Sequence, residues 1–175
     1  MTSGLGPTPP LRRRFASLVY ELLLLFGLAL IPGALGALFV AQTGHGHWAQ
    51  SDAALRVYAL FLDAIYFVWF WSRRGQTLAM QTWRIAVQHR DGTQLTQARA
   101  AGRFLAACAG WFAAPLLVAS ALALKPWPTL GAVAGWAVLY GLSSRFAPDR
   151  QYWHDRVAGT RLVDQRGQAR ATPTA

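Results

Sequence analysis

At 175 residues the chain has room for one domain and little more. Apolar residues make up 54% and charged residues only 14%, against roughly 25% charged in soluble globular proteins, which excludes a disordered chain and an ordinary soluble domain. A net charge of +10 would ordinarily raise nucleic acid as a partner, but here the basic residues fall between apolar runs and mark membrane topology instead.

Residues 1–10 carry Pro7, Pro9 and Pro10 and are expected to be loose. Arg12, Arg13, Arg14 and Phe15 resemble a twin-arginine export signal. The apolar run behind them, 15–41, is much longer than the roughly 7–15 residues of a signal's apolar region, so cleavage is not expected. That run holds a single charge, Glu21, and exceeds the roughly 20 residues that cross a bilayer. A second helix is expected over 53–71, interrupted by Arg56 and Asp63. A third, 104–124, is free of charge and contains Pro115, and a fourth, 126–142, opens on Pro126 and Pro128. Single prolines are tolerated in membrane helices because neighbours satisfy the freed backbone groups.

Every basic residue except Arg56 and Lys125 falls at the N-terminus, in the loop 72–103 or in the tail. By the excess of Lys and Arg on the inner side, both termini are expected in the cytoplasm, which an even number of spans satisfies. The loop is not featureless. Trp83, Ile85 and Val87 alternate with Arg84, Ala86 and Gln88, the period of a half-buried strand, and Asp91-Gly92 reads as a hairpin turn returning through 94–96. Residues 159–163 read as another short strand, and 165–175 as a disordered tail. The expected fold is therefore an all-α membrane protein, with four transmembrane helices and a small cytoplasmic β element in one unit over 11–164.

Within the bundle, Ala29, Gly33 and Ala37, then Ala106, Gly110 and Ala114, then Gly131 and Gly135 recur at four-residue spacing, which lets helix backbones approach closely. Trp48, Trp69, Trp71, Trp127 and Tyr140 sit near span ends as interfacial anchors. His45, His47 and Asp52 in the first loop make too sparse a set for a metal site, and Cys108 reads as a packing residue. Neither a phosphate-binding loop nor a catalytic constellation is present in the sequence. No cofactor, no metal, no enzymatic activity and no nucleic-acid partner are expected.

Several stretches together resemble the RDD family of bacterial membrane proteins. These are Arg13-Arg14-Phe15-Ala16 with an acid at Glu21, Gly75-Gln76-Thr77-Leu78, Asp91-Gly92, Arg103, and residues 154–160, His-Asp-Arg-Val-Ala-Gly-Thr. The resemblance covers roughly 11–164 and implies a multi-span protein of the bacterial inner membrane, with a transport role. It matches Arg14 to the family's Arg, Glu21 to its helix Asp, and Asp155 to its second Asp. The chain departs from the pattern in carrying Glu at 21 and Ala79-Met80 where many relatives continue with Gly-Lys.

Charge inside a span costs at least ~2.5–3.5 kcal/mol per group, so Glu21 and Asp63 call for a reason. At 1.5 Å per residue they lie ~9 and ~12 Å inward from the same face, and Arg14, Leu18 and Glu21 share one stripe. Two readings follow. In the first, Arg14, Glu21 and Asp63 form an ion or proton site of a transport or permeation component for ions or small solutes, assembled as a homo-oligomer among membrane lipids. In the second, the chain is a non-transporting scaffold or accessory subunit and the acids serve assembly. Arg14 itself either reaches for headgroups or pairs with Asp155, with His154 tuning that contact by pH.

Overall fold

The computed structural model describes residues 6–43 and 52–166. Four long helices descend onto a small platform. Helix α1 spans Leu11–Thr43 and α2 spans Asp52–Arg74. A short α3, Leu78–Thr82, leads into strand β1, Ile85–His89. Helix α4, Gln97–Cys108, runs through a π-helical turn at Ala109–Ala113 into α5, Ala114–Ala121. Helix α6, Pro126–Ser143, returns to the platform, where α7, Trp153–Val157, and β2, Thr160–Asp164, complete it.

Two helical stretches among the described residues, Leu11–Gln42 and Gln97–Ala121, are long and apolar enough to cross a membrane. The sequence led us to expect four. Helices α2 and α6 are both present, but charge at Arg56, Asp63 and Arg73 interrupts the first, and two prolines and three glycines dilute the apolarity of the second.

Local signals explain most boundaries. Thr77 caps α3 by accepting a hydrogen bond from the Met80 amide, and Thr96 caps α4 by accepting from the Arg99 amide. The third long helix therefore starts at Gln97 rather than at 104, which carries Arg99 and Arg103 out of the expected loop and onto a helix. Pro115 lacks an N–H and would collide with the carbonyl four residues back, and the wider π-helical turn over Ala109–Ala113 accommodates it.

The platform's sheet corrects one expectation. β1 does not fold back through 94–96; it pairs antiparallel with β2, Ile85 opposite Asp164 and His89 opposite Thr160. Asp91-Gly92 still turns the chain, with the Gly92 amide donating to His89 and the His89 amide to the Thr93 carbonyl, but residues 94–96 lead into α4. Ile85, Ala86 and Val87 are all buried, so the sheet is covered on both faces. Its core joins Trp71, Met80, Val87, Phe104, Tyr140 and Leu162.

Residues 6–10, expected to be loose, are docked on that sheet. The Asp164 amide donates to the Pro7 carbonyl at 2.8 Å, Arg161 to the Gly6 carbonyl, and Gln151 bridges Thr8 and Leu162. Pro9 is fully buried. Residues 1–5 and most of the expected tail, 167–175, lie outside the described residues, as do His45, His47, Trp48 and the Asp52 side chain.

The interfacial anchors divide. Trp69 and Trp127 are exposed, whereas Trp71 and Tyr140 are buried in the platform core. Of the small residues, Gly110 receives the Tyr140 ring and Gly141, which the spacing pattern did not include, receives Phe15. Gly33, Gly131 and Gly135 have no neighbour within 4 Å where a Cβ would stand.

Gly75 ends α2 at φ +66, and its carbonyl accepts from the Val87 amide at 2.7 Å. A Cβ there would stand 2.8 Å from the Val87 carbonyl oxygen. Gly159 has the same φ of +66, and a Cβ there would meet only His89 Nε2 at 3.8 Å and Arg99 Nη1 at 4.0 Å, ordinary contact distances. Gly159→Ala is expected to cost about 1–2 kcal/mol, the left-handed penalty alone. Gly75→Ala should cost more, because the backbone must also shift. Thermal unfolding of the two detergent-solubilised variants checks the order.

Candidate functional site

The ionisable side chains meet where the helices reach the platform, and they are buried there. Asp155 is fully buried, with Arg103, Arg14, Arg13, His154 and Glu21 each 6% exposed or less. Helix α4 carries Arg103 to Asp155 on α7, with Arg103 Nη2 at 2.7 Å and Nε at 2.9 Å from Asp155 Oδ1. Thr160 adds a hydroxyl donor to the same oxygen at 3.3 Å. The Arg103 guanidinium lies 4.1 Å above the Trp71 ring, so aromatic surface replaces water on its open side.

Arg14 is not the partner of Asp155. Its Nε donates to the Pro9 carbonyl at 3.0 Å, and its guanidinium sits 4.9 Å over the Tyr152 ring. Arg14 therefore holds the N-terminal segment against α7, within electrostatic range of Asp155 but without a bond to it. Its neighbour Arg13 does form an ion pair, with Asp164 of β2, and also donates to the Trp83 carbonyl.

His154 continues the cluster. Its backbone N–H donates to the Tyr140 hydroxyl at 3.3 Å, which leaves that hydroxyl's proton for His154 Nδ1 at 2.8 Å. The neutral imidazole then carries its own proton on Nε2, 3.7 Å from Asp155 Oδ1. Burial pushes the His154 pKa down to about 4, against the opposing pull of Asp155. It is thus uncharged near neutrality, and the expected tuning by pH in that range does not follow. Burial alone would raise the Asp155 carboxyl, but Arg103, with His154 and Arg14 nearby, holds it below the usual range. Burial also pushes Tyr152 up to about 12.

Glu21 and Asp63 are not brought together. Glu21 accepts from the Tyr66 hydroxyl at 2.7 Å and from the Thr77 hydroxyl, so both its oxygens are engaged. It fastens α1 to α2 and to the capping turn of α3. Asp63 lies higher on α2, half-buried, within electrostatic range of Cys108, and makes no hydrogen bond or ion pair among the described residues.

Sequence reasoning passed over Arg103, Thr77 and Tyr66 as members of this network. The signal for Arg103 was present in the Thr96 cap, which places Ala100, Arg103 and Phe104 on one buried helix face. Among the described residues no group of three or more His, Cys, Asp or Glu could hold a metal ion.

Two helices long and apolar enough to cross a membrane, gathered at one end by buried ion pairs, point to a membrane protein. The chain belongs to the RDD family, whose model matches residues 8–159 and whose members are membrane proteins. That match encloses Arg14, Glu21, Arg103 and Asp155. No curated protein and no solved structure matches the chain.

Breaking a buried pair strands a charge, so Asp155→Asn is expected to cost about 3–5 kcal/mol. Arg14→Gln should cost about 2 kcal/mol or less, because a cation over a ring is lost rather than an ion pair. Equal losses in chemical denaturation would show that Arg14, not Arg103 alone, balances Asp155. His154 supplies a pH test. With a pKa near 6.5 unfolded and about 4 folded, its contribution is complete above the unfolded value and is lost as pH falls through that window. The loss is roughly 3 kcal/mol in all. The unfolding midpoint should drop between about pH 6.5 and about pH 4, and His154→Gln should flatten that dependence.

Proposed function

We propose that the chain is a non-catalytic scaffold or accessory subunit of the bacterial inner membrane, spanning it four times through α1, α2, α4–α5 and α6. The sheet and both termini lie in the cytoplasm on this reading. Its support is the alternation of helix direction, each helix having one end at the sheet, together with the excess of Arg at that end.

One observation carries the scaffold reading. Beyond Glu21 no described residue of α1 is buried, and Leu23, Phe26, Leu35 and Leu38 are each more than half exposed. Gly27, Gly33 and Gly36 on the same helix have no described neighbour within 4 Å where a Cβ would stand. A span fastened only at its platform end leaves most of its length for a second helix, with small residues allowing close approach. Glu21 and Asp155, meanwhile, are engaged in holding the platform together. The partner we favour is a second copy of the chain.

Transport remains the second reading, favoured by Asp63, a span carboxylate with no bond of its own among the described residues. Sealed vesicles separate the two. The scaffold reading expects wild-type vesicles to hold proton and sodium gradients as empty ones do, while Gly33→Leu disrupts self-association measured by cross-linking. Gradient collapse in wild-type vesicles that Asp63→Asn prevents would replace it with transport.

A further inference from the structure

At one end of the strand pair the chain gathers side chains that the buried ion pairs do not use. Strand register sets His89 opposite Thr160, and therefore beside Gly159. The first turn of α4 brings Arg99 to the same place. From the point where a Cβ of residue 159 would stand, His89 Nε2 is 3.8 Å away and Arg99 Nη1 4.0 Å. Apart from the two chain neighbours, no other described residue comes within 4 Å of that point. We propose that this gap binds a phosphate group, free or carried on a lipid headgroup, held by His89 and Arg99 over Gly159.

Both side chains are left available for such a ligand. Asp91 Oδ1 accepts from His89 Nδ1 at 2.8 Å, which orients the ring and leaves Nε2 at the gap. Nε2 donates to a phosphate oxygen when the ring is charged, and accepts from a phosphate hydroxyl when it is neutral. Arg99 is exposed, and its guanidinium makes no hydrogen bond or ion pair among the described residues. It stands in the first turn of a helix, where the positive end of the dipole disfavours a cation, and no acid shares that turn. Helix stability therefore gives no reason for an arginine there.

Glycine keeps the gap open. A side chain at 159 would stand between the two nitrogens, whereas glycine lets a ligand come down onto the backbone. The nitrogens lie about 8 Å apart or less, a span that one phosphate bridges with two charge-assisted bonds of about 2.8 Å each. The floor is fixed, because the Arg90 amide donates to the Gly159 carbonyl at 3.2 Å. The Arg156 carbonyl accepts both the Gly159 amide and Arg90 Nη2, so a further guanidinium borders the same turn. The nearby acids are already engaged, Asp91 by His89 and Asp155 by Arg103. Singly protonated phosphate offers a charged oxygen to Arg99 and a hydroxyl to a neutral His89, a combination that a carboxylate lacks near neutrality. The site stands whether the chain is a scaffold or a transporter.

Nuclear magnetic resonance of the full chain, labelled with nitrogen-15 in histidine and embedded in phosphatidylcholine nanodiscs, tests the proposal. Inorganic phosphate should move the His89 Nε2 resonance, identified by its loss in His89→Gln, to saturation. Acetate at the same ionic strength should not. Arg99→Gln should weaken phosphate binding by roughly tenfold, the loss of one charge-assisted contact. Gly159→Ala should weaken it with both charges intact. Arg166, exposed beyond the opposite end of the strand pair, is the control, and Arg166→Gln should leave binding unchanged. Nanodiscs containing phosphatidic acid separate the two sources. A headgroup in the site moves the His89 resonance before any phosphate is added, whereas a site for free phosphate leaves it in place and still titrates. A resonance unmoved by phosphate and phosphatidic acid alike would overturn the proposal. Equal losses in Arg99→Gln and Arg166→Gln would do so too, since they would mark a diffuse positive surface.

Discussion

The Arg103–Asp155 pair is the contact on which the platform depends. It joins residues 52 apart in sequence, and it does so with no exposed atom on the carboxylate side chain. A charge in that position is tolerable only because its partner is fixed by more than attraction. Arg103 is held on a capped helix and flattened against Trp71, while Asp155 is fixed on α7 between β2 and the stack of His154, Tyr152 and Tyr140. Taking either charge away leaves the other buried in surroundings built for the pair.

The other polar contacts extend that joint outward. Arg13 ties the start of α1 to the last residue of β2, and Glu21 ties the next two turns of α1 to α2 and α3. Between them, Arg14 pins residues 6–10 under Tyr152. The four helix ends are thus cross-braced by side chains at the platform, and Trp136 of α6 adds a hydrogen bond to the Gly110 carbonyl farther along the bundle. Otherwise the helices above the platform rely on apolar surface, which in lipid supplies no hydrophobic drive toward one another. This explains how α1 can be firmly placed at its base and open along its length.

Much of this was legible in the residues. Hydropathy located all four long helices, and β-branched alternation located both strands. What could not be read was pairing. The carboxylate of Asp155 had several arginines to choose from, and spacing along a chain does not rank partners that meet only in the folded state. The loop arginines at 99 and 103 looked like topology markers until the Thr96 cap moved the helix boundary past them. The docking of residues 6–10 was invisible for another reason: it is made largely by main-chain carbonyls, which every sequence possesses. Trp71 and Tyr140 were misplaced because an aromatic ring near a span end serves a membrane interface and a protein core equally well.

The pairing of β1 with β2 also has a consequence for synthesis. The strand at Thr160–Asp164 leaves the ribosome after every helix has been made. Until then Arg13 and Arg103 have no carboxylate, β1 has an open edge, and residues 6–10 have nothing to lie on. The nascent chain can commit its spans to the bilayer one by one, but it cannot close its base. Closure is a single late event, in which the last strand, residues 6–10 and two waiting arginines are all secured together.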